Sequence, residues 1–309
     1  MENAKIIKKE KDKSSIIFIV AMLIIPIISF LFFYVYINFN SILMAFKVYN
    51  PVSGIYEIGF GNFETAINKI TNATSNTTDN LFAYLGNTFI YFFQDTFINM
   101  PLSLIICYFM YKKIALHKVL RVIIYLPIII TPTIVSILYR YIIEPGGPLY
   151  ALCLQFDLPY PETNTFINNS QYALRTILFY SIYSGLGARF VLFGGAMNSI
   201  DMSIIEAGKL DGVGPFRELI SIIIPCIWPT FATMILISFA GVFTASGPSL
   251  LFDPNGEYGT MSISYWIYLK ATSGAGAPEL ASATGLIFTL LGLPIVFIVK
   301  KLTKITEGN

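Results

Sequence analysis

The chain predicts an all-α membrane protein with six transmembrane helices, and three observations carry that prediction. Only 12% of its 309 residues are charged while 55% are hydrophobic, whereas soluble proteins carry about a quarter charged residues. The apolar residues gather into six runs of at least about 20 residues, each long enough to cross a ~30 Å hydrocarbon core as a helix. Basic residues crowd into alternate loops. Lys5, Lys8, Lys9, Lys11 and Lys13 precede the first run, and Lys112, Lys113, Lys118 and Arg121 lie between the second and third. Lys209 and Arg217 lie between the fourth and fifth, and Lys300, Lys301 and Lys304 follow the sixth. The opposite loops hold only Lys47, Lys69 and Lys270. By the positive-inside rule, both termini and the loop after the fourth helix face the cytoplasm. The formal net charge of +2 says nothing about nucleic acid.

In order, the spans fall at about 15–38, 84–110, 119–143, 171–197, 224–246 and 280–299, lengths set by the hydrocarbon thickness. The expected organisation is a tail at 1–14, one six-helix domain at 15–299 with a cytoplasmic loop at 198–223, and a second tail at 300–309. The first span follows lysines as a signal peptide would, but it is too long for an h-region and no A-x-A site follows, so it reads as a retained helix. Pro26 within it is tolerated in a membrane helix and marks a candidate kink. Residues 47–83 form an external loop that ends in a polar TNATSNTTDN tract. The second span contains Asp95; the third contains Pro127 and Pro132 and ends near Arg140, before the turn-rich EPGGPLY. Gly185, Gly187, Gly194 and Gly195 in the fourth span are small residues that let helices approach closely. Gly241 and Ala245 do the same in the fifth, and Ala277, Ala281 and Gly285 form one ridge of the sixth. The external loop at 247–279 includes SISYWIYL, where Tyr265, Trp266 and Tyr268 suit a short helix at the membrane interface.

Between the fourth and fifth runs lies a polar island, Asn198–Thr230. It reads as two short helices with a glycine break, then entry into a membrane helix. The first helix starts at Asp201 as N-cap, or at Ser203 with Glu206 as a capping box. Ile204, Ile205 and Gly208 are expected to share a face. Gly212 suits the left-handed position that ends a helix, and Pro215 suits the first position of the next. Apolar Ile204, Ile205, Leu210, Phe216 and Leu219 make the island amphipathic, a surface suited to a partner's groove.

Glu206, Ala207, Gly212, Ile222 and Pro225 stand at the spacing of the EAA signature, and the island therefore resembles the permease subunits of binding-protein-dependent ABC importers. Gly208 replaces the third motif residue, alanine, and Ile224 replaces leucine. Further stretches, IGFGNF at 58–63, the NTxxF-like start of the second span and the LPxxxxPxxxxxLxR-like third, resemble the carbohydrate-uptake branch. Within it they are most similar to the maltose- and glycerol-phosphate-type permease that comes first of its pair.

The resemblance implies a type I ABC importer permease fold in a bacterial plasma membrane. It implies a second homologous permease, two ATPase subunits on the cytoplasmic face and an external solute-binding protein as partners, in addition to membrane lipid. The residues it assigns to ATPase coupling are Ser203, Ile204, Ile205, Glu206, Ala207, Gly208, Asp211, Gly212 and Phe216. Glu206 contacts the ATPase, Ala207 and Gly208 permit close approach, and Asp211-Gly212 form the turn. No cofactor is expected, because the chain lacks a GxxxxGK[ST] loop and ATP belongs to the partner subunit. Cys107, Cys153 and Cys226 have no metal-ligand spacing, and the single histidine, His117, lies in a basic turn, so no catalytic or metal centre can be assembled.

Asp95 and Arg189 are the ionisable residues expected at membrane depth, where a charge costs roughly 2.5–3.5 kcal/mol and demands a partner or a cavity. They read either as a mutual structural pair or as a polar lining of the solute pathway. Tyr139, Tyr180, Tyr183 and Phe243 are candidates for stacking on a sugar face, against the plainer role of helix packing. Three other readings stay open: a permease for a non-sugar solute such as polyamine, phosphate or peptide; a secondary transporter, disfavoured by the lack of an inverted repeat and of several intramembrane carboxylates; and a non-transporting membrane scaffold.

Overall fold

The computed structural model describes residues 13–71, 80–160 and 165–303. The lysines before residue 13, Lys304 and most of the TNATSNTTDN tract lie outside the described residues. The fold is helical, with one small hairpin. Helix α1, Phe18–Ala45, is followed by strands β1 (Lys47–Asn50) and β2 (Ile55–Ile58) and by α2 (Gly61–Thr71). Helix α3 (Leu81–Tyr111) is continuous. Then come α4 (His117–Ile129), α5 (Pro132–Ile143), α6 (Pro148–Gln155) and the long α7 (Ala173–Asn198). The island forms α8 (Met202–Leu210) and the start of α9 (Pro215–Cys226), which leads into α10 (Trp228–Ala240). A short α11 (Ser249–Phe252), α12 (Ile263–Ala271) and α13 (Ala277–Thr303) complete the order.

Among the described residues four helices, α1, α3, α7 and α13, are each long and apolar enough to cross a membrane, and the number is six when each of two bent pairs is counted as one span. Proline chemistry explains both bends. The third span breaks at Ile130 and Thr131, which are extended (ψ 142° and 139°) because the residue before Pro132 is driven out of helical geometry. Its two parts, His117–Ile129 and Pro132–Gln155, differ in direction by 112°. The fifth span bends by 82° at Ile227, between Pro225 and Pro229, neither of which can donate a helical N–H. It therefore begins at Pro215 and ends at Ala240, where a span at about 224–246 was expected.

Other boundaries also moved. The first helix continues past residue 38 to Ala45, because Asn38 and Ser41 bond back to the carbonyls of Tyr34 and Ile37 at 2.6 and 3.0 Å and so do not end it. The last helix runs to Thr303, so Lys300 and Lys301 belong to it rather than to a tail. The 47–83 loop contains an antiparallel hairpin with Lys47 opposite Ile58 and Asn50 opposite Ile55. Asn50 closes its turn by accepting the Val52 and Ser53 N–H groups, and Gly54 takes φ +67°. The helix expected at SISYWIYL forms, with Tyr265 and Trp266 buried against the chain and Tyr268 exposed. Trp266 is 1% exposed and packs with Leu81, Met261 and Tyr265.

Besides the cluster around Trp266, two larger apolar clusters fill the bundle. One lies beside the island and joins Leu104, Tyr108, Phe190 and Phe193 to Ile205, Leu219 and Ile223. The other lies toward the opposite end and joins Tyr91, Val135, Ile177, Tyr180 and Phe252. Between them α3 widens into a π-helix at Gln94–Asn99, a distortion that often marks a functional position.

Candidate functional site

The island has the local order that its residues demand. Asp201 is the N-cap of α8, its carboxylate accepting the Ser203 N–H at 3.0 Å. That bond favours the ionised form and holds the Asp201 carboxyl below its ordinary value. The alternative start, with Glu206 reaching back, is not used. At the other end Gly212 has φ +69°, its N–H bonds the Lys209 carbonyl, and the Val213 N–H bonds the Gly208 carbonyl, both at 3.1 Å. This is the complete Schellman arrangement.

The face that α8 turns inward differs in part from expectation. Ile205 (2% exposed) and Gly208 face the bundle, but Ile204 (44%) lies on the outer side. Adjacent residues on a helix do not share a face, and burial selects Ile205. A Cβ at Gly208 would lie 2.6 Å from Ile222 Cδ1, so the missing side chain lets α8 close onto the chain's own α9. The outward set is Ile204, Glu206, Ala207, Lys209, Leu210 and Phe216. Leu210 is 90% exposed and Phe216 67%. Among the described residues Glu206 makes no side-chain hydrogen bond or ion pair. Beneath this face Glu218, 3% exposed, meets Lys112 at the end of α3, the ammonium lying 2.6 Å from Oε1 and 2.7 Å from Oε2.

The second feature is a cavity of about 560 Å³ inside the bundle, within the range of small-molecule sites. It opens between the π segment of α3, the break after α4, α7 and α10. Asp95, Tyr180 and Arg189 line it, with Gln94, Asn99, Ser181, Ser184, Ser238 and Thr244. Asp95 and Arg189 form an ion pair across α3 and α7. The Asp95 side chain is 43% exposed and the Arg189 side chain 16%, so the acid is the partner open to the cavity. Two other polar side chains of α3 hold α7 in place. Gln94 donates to the Leu178 carbonyl, and Asn99 donates to the Ser181 carbonyl at 3.2 Å. Asn99 reaches it because Gly185 has no Cβ, which would stand 2.8 Å from Asn99 Nδ2.

The remaining pathway candidates do not line this cavity. Tyr139 donates to the Thr176 carbonyl at 2.9 Å. Tyr183 donates at 3.0 Å to the carbonyl of Ile123, the group left without its helical partner by Pro127. Phe243 packs on Phe288 with ring centroids 5.0 Å apart. Tyr180, although at the cavity, donates to the Pro132 carbonyl at 3.2 Å. All three hydroxyls bond backbone carbonyls, those of Tyr180 and Tyr183 beside the prolines of the third span, as a low-dielectric interior favours. Sequence reasoning missed Gln94, Asn99 and Glu218. The first two were visible as amides inside an apolar run, a pattern that signals interior facing.

Comparison with known proteins places these features in a family. Residues 87–306 match the binding-protein-dependent transport system inner membrane component family. The sn-glycerol-3-phosphate transport system permease protein UgpA of Escherichia coli (strain UTI89 / UPEC) is 26% identical over 174 residues, 55% of this chain and 58% of the relative. The chain thus spans somewhat over half the length of that relative. Protein LplB of Bacillus subtilis (strain 168) is 22% identical over 281 residues, 89% of this chain and 85% of LplB. A chain of a bacterial ABC transporter that imports the acidic polysaccharide alginate superposes with TM-score 0.79 at 22% identity, covering 96% of this chain and 98% of that one. The fold is thus the type I ABC importer permease fold. The chain belongs to the family of binding-protein-dependent transport system inner membrane components.

Proposed function

We propose that this chain forms one half of the translocation pathway of an ABC importer for a sugar or oligosaccharide and couples that pathway to separate ATPase subunits. The observation that carries the reading is the outer face of α8 and early α9. It displays an acid, Glu206, with no side-chain partner among the described residues, set among exposed apolar side chains on a helix held from beneath by the core. An amphipathic helix so presented is a ligand for a groove on another protein. In the assembly both termini and the island face the cytoplasm, as the lysine distribution requires. Two ATPases dock there, a second permease closes the pathway, and a solute-binding protein meets the external loops around 47–83, 144–170 and 247–279. ATP is held by the partner, so this subunit supplies motion rather than chemistry, through a rigid-body switch between access states.

The sugar assignment is supported by the names of the similar permeases. It is also supported by the cavity, where the Asp95–Arg189 pair neutralises itself and leaves hydroxyls, amides and the Tyr180 ring facing the space. Purification from native membranes in mild detergent, followed by mass spectrometry, tests the assembly. A second six-helix permease and an ATPase are expected to remain bound, and the ATPase to be lost in Glu206→Lys. A chain that purifies alone and mediates uptake in liposomes without ATP would overturn the reading in favour of a secondary transporter.

A further inference from the structure

We infer that the buried Lys112–Glu218 ion pair is the strut that makes the coupling loop and α3 move as one body. The inference rests on the coupling role proposed above. Glu218 lies in the first turn of α9, two residues after the exposed Phe216, and Lys112 caps the end of α3. The pair is enclosed: the Glu218 side chain is 4% exposed and the Lys112 side chain 25%. The Lys112 ammonium also lies 5.7 Å from the centroid of the buried Tyr108 ring.

A buried ion pair is a poor source of net stability, because desolvation offsets its attraction and an apolar pair of similar volume often serves as well. What it supplies is position. The apolar contacts of Ile205 and Leu219 with the same core tolerate sliding. Separating Lys112 from Glu218 leaves a charge buried and uncompensated. Relative movement of α9 and α3 is therefore penalised at this point more than elsewhere along their contact.

Helix α3 is the element on which such a strut is useful. It runs unbroken from Leu81 to Tyr111, about 45 Å at 1.5 Å per residue. Midway it carries Asp95 in the cavity. At its far end it holds the 259–263 segment by four hydrogen bonds. Asn87 donates to the carbonyls of Gly259 and Met261, both at 2.8 Å, and Tyr91 to that of Thr260 at 3.0 Å. Thr88 accepts the Ile263 N–H at 3.0 Å. Beyond Lys112 the turn into α4 is tight, with Lys113 and Leu116 both at positive φ (54° and 61°), so α4 follows the same end. One helix thus joins the coupling loop, the cavity and the segment above it, and Lys112–Glu218 is its attachment to the loop.

The test uses the complete transporter in proteoliposomes, with solute uptake and phosphate release measured on the same vesicles. Glu218→Gln is expected to retain the ATPase and to hydrolyse ATP within about twofold of the parent while uptake per ATP falls about tenfold, a coupling effect of the size seen for residues between sites. The exchange Lys112→Glu with Glu218→Lys is expected to restore most of that ratio. An unchanged ratio in Glu218→Gln overturns the strut, and so does loss of the ATPase that the exchange fails to restore. A second measurement does not depend on the buried charge. Cysteines at 112 and 218, with Cys107, Cys153 and Cys226 replaced, are joined by a short bifunctional maleimide. Uptake that rises on joining supports one moving body; uptake that stops shows the helices sliding past each other and overturns it. Failure of the parent to couple uptake to ATP would instead sink the coupling role itself.

Discussion

Gly208 and Gly212 lie four residues apart, yet they are glycine for different reasons, and substitution separates them. Gly212 is glycine for its backbone: φ is +69°, and a Cβ added there would meet nothing within 4 Å. Gly212→Ala should therefore cost about 1–2 kcal/mol of local stability through left-handed strain alone, with Asn tolerated better. Gly212→Pro should be worse, since it also removes the N–H that bonds Lys209. At Gly208 the obstacle is space, and the atom in the way is the flexible tip of Ile222. Gly208→Ala is expected to be neutral or stabilising by up to about 1 kcal/mol from helix propensity, while Gly208→Leu should lift α8 from α9 and weaken ATPase retention in pull-down. Asp201 adds a pH dependence. Its folded carboxyl lies below the ordinary value, so its capping contribution is present above the ordinary carboxylate range and is lost as the pH falls through the lowered value. Circular dichroism of the detergent-solubilised protein under acid titration should show α8 signal lost at higher pH in the parent than in Asp201→Ser, whose cap does not titrate.

Helix breaks are where the elements departed furthest from what periodicity foretold. Apolar run length reveals that a span exists, and Pro127, Pro132, Pro225 and Pro229 are plain in the chain. Pro127 stays inside its helix with another element satisfying the carbonyl it frees. That partner comes from distant sequence. At Pro127 it is Tyr183, about sixty residues away, donating to Ile123. Tyr183→Phe should then cost about 0.6 kcal/mol, typical of a hydrogen bond between membrane helices. The cost should vanish in a Pro127→Ala background, where the residue 127 N–H is restored. A double-mutant cycle on unfolding in mixed micelles measures this, and additive costs would reject the pairing. The burial of Trp266 escaped sequence reading for a related reason. An aromatic-rich short helix looks alike at a membrane interface and in a core, and only the positions of Leu81 and Met261 decide between them.

At the scale of the molecule, six spans, the EAA loop and the intramembrane pair were legible because each rests on composition or fixed spacing. The cavity was not, since it is assembled from α3, α4, α7 and α10 and exists only where they diverge. The two members of the Asp95–Arg189 pair should respond unequally. Removing Asp95 leaves the more enclosed Arg189 without its counter-charge, whereas removing Arg189 leaves an acid already open to the cavity. Asp95→Ala should therefore lower folded yield several-fold more than Arg189→Ala, the range in which about 1–2 kcal/mol alters abundance. Exchanging the two charges distinguishes architecture from transport: recovered yield with lost uptake would mark them as part of the route that solute follows.

Helix α1 bears on how such a protein is made. In its most apolar stretch none of its residues is buried by the rest of the chain, and its contacts with the other elements are concentrated in Ile37–Ala45, against α13. Lipid alone can therefore satisfy this helix during synthesis. It can settle in the bilayer as soon as it emerges, long before α13 exists to receive its end. Later spans are under the opposite constraint, because polar side chains such as Asp95, Gln94 and Asn99 find their partners on other elements of the chain. Within this chain α1 thus has the character of an anchor, and the later spans that of a bundle.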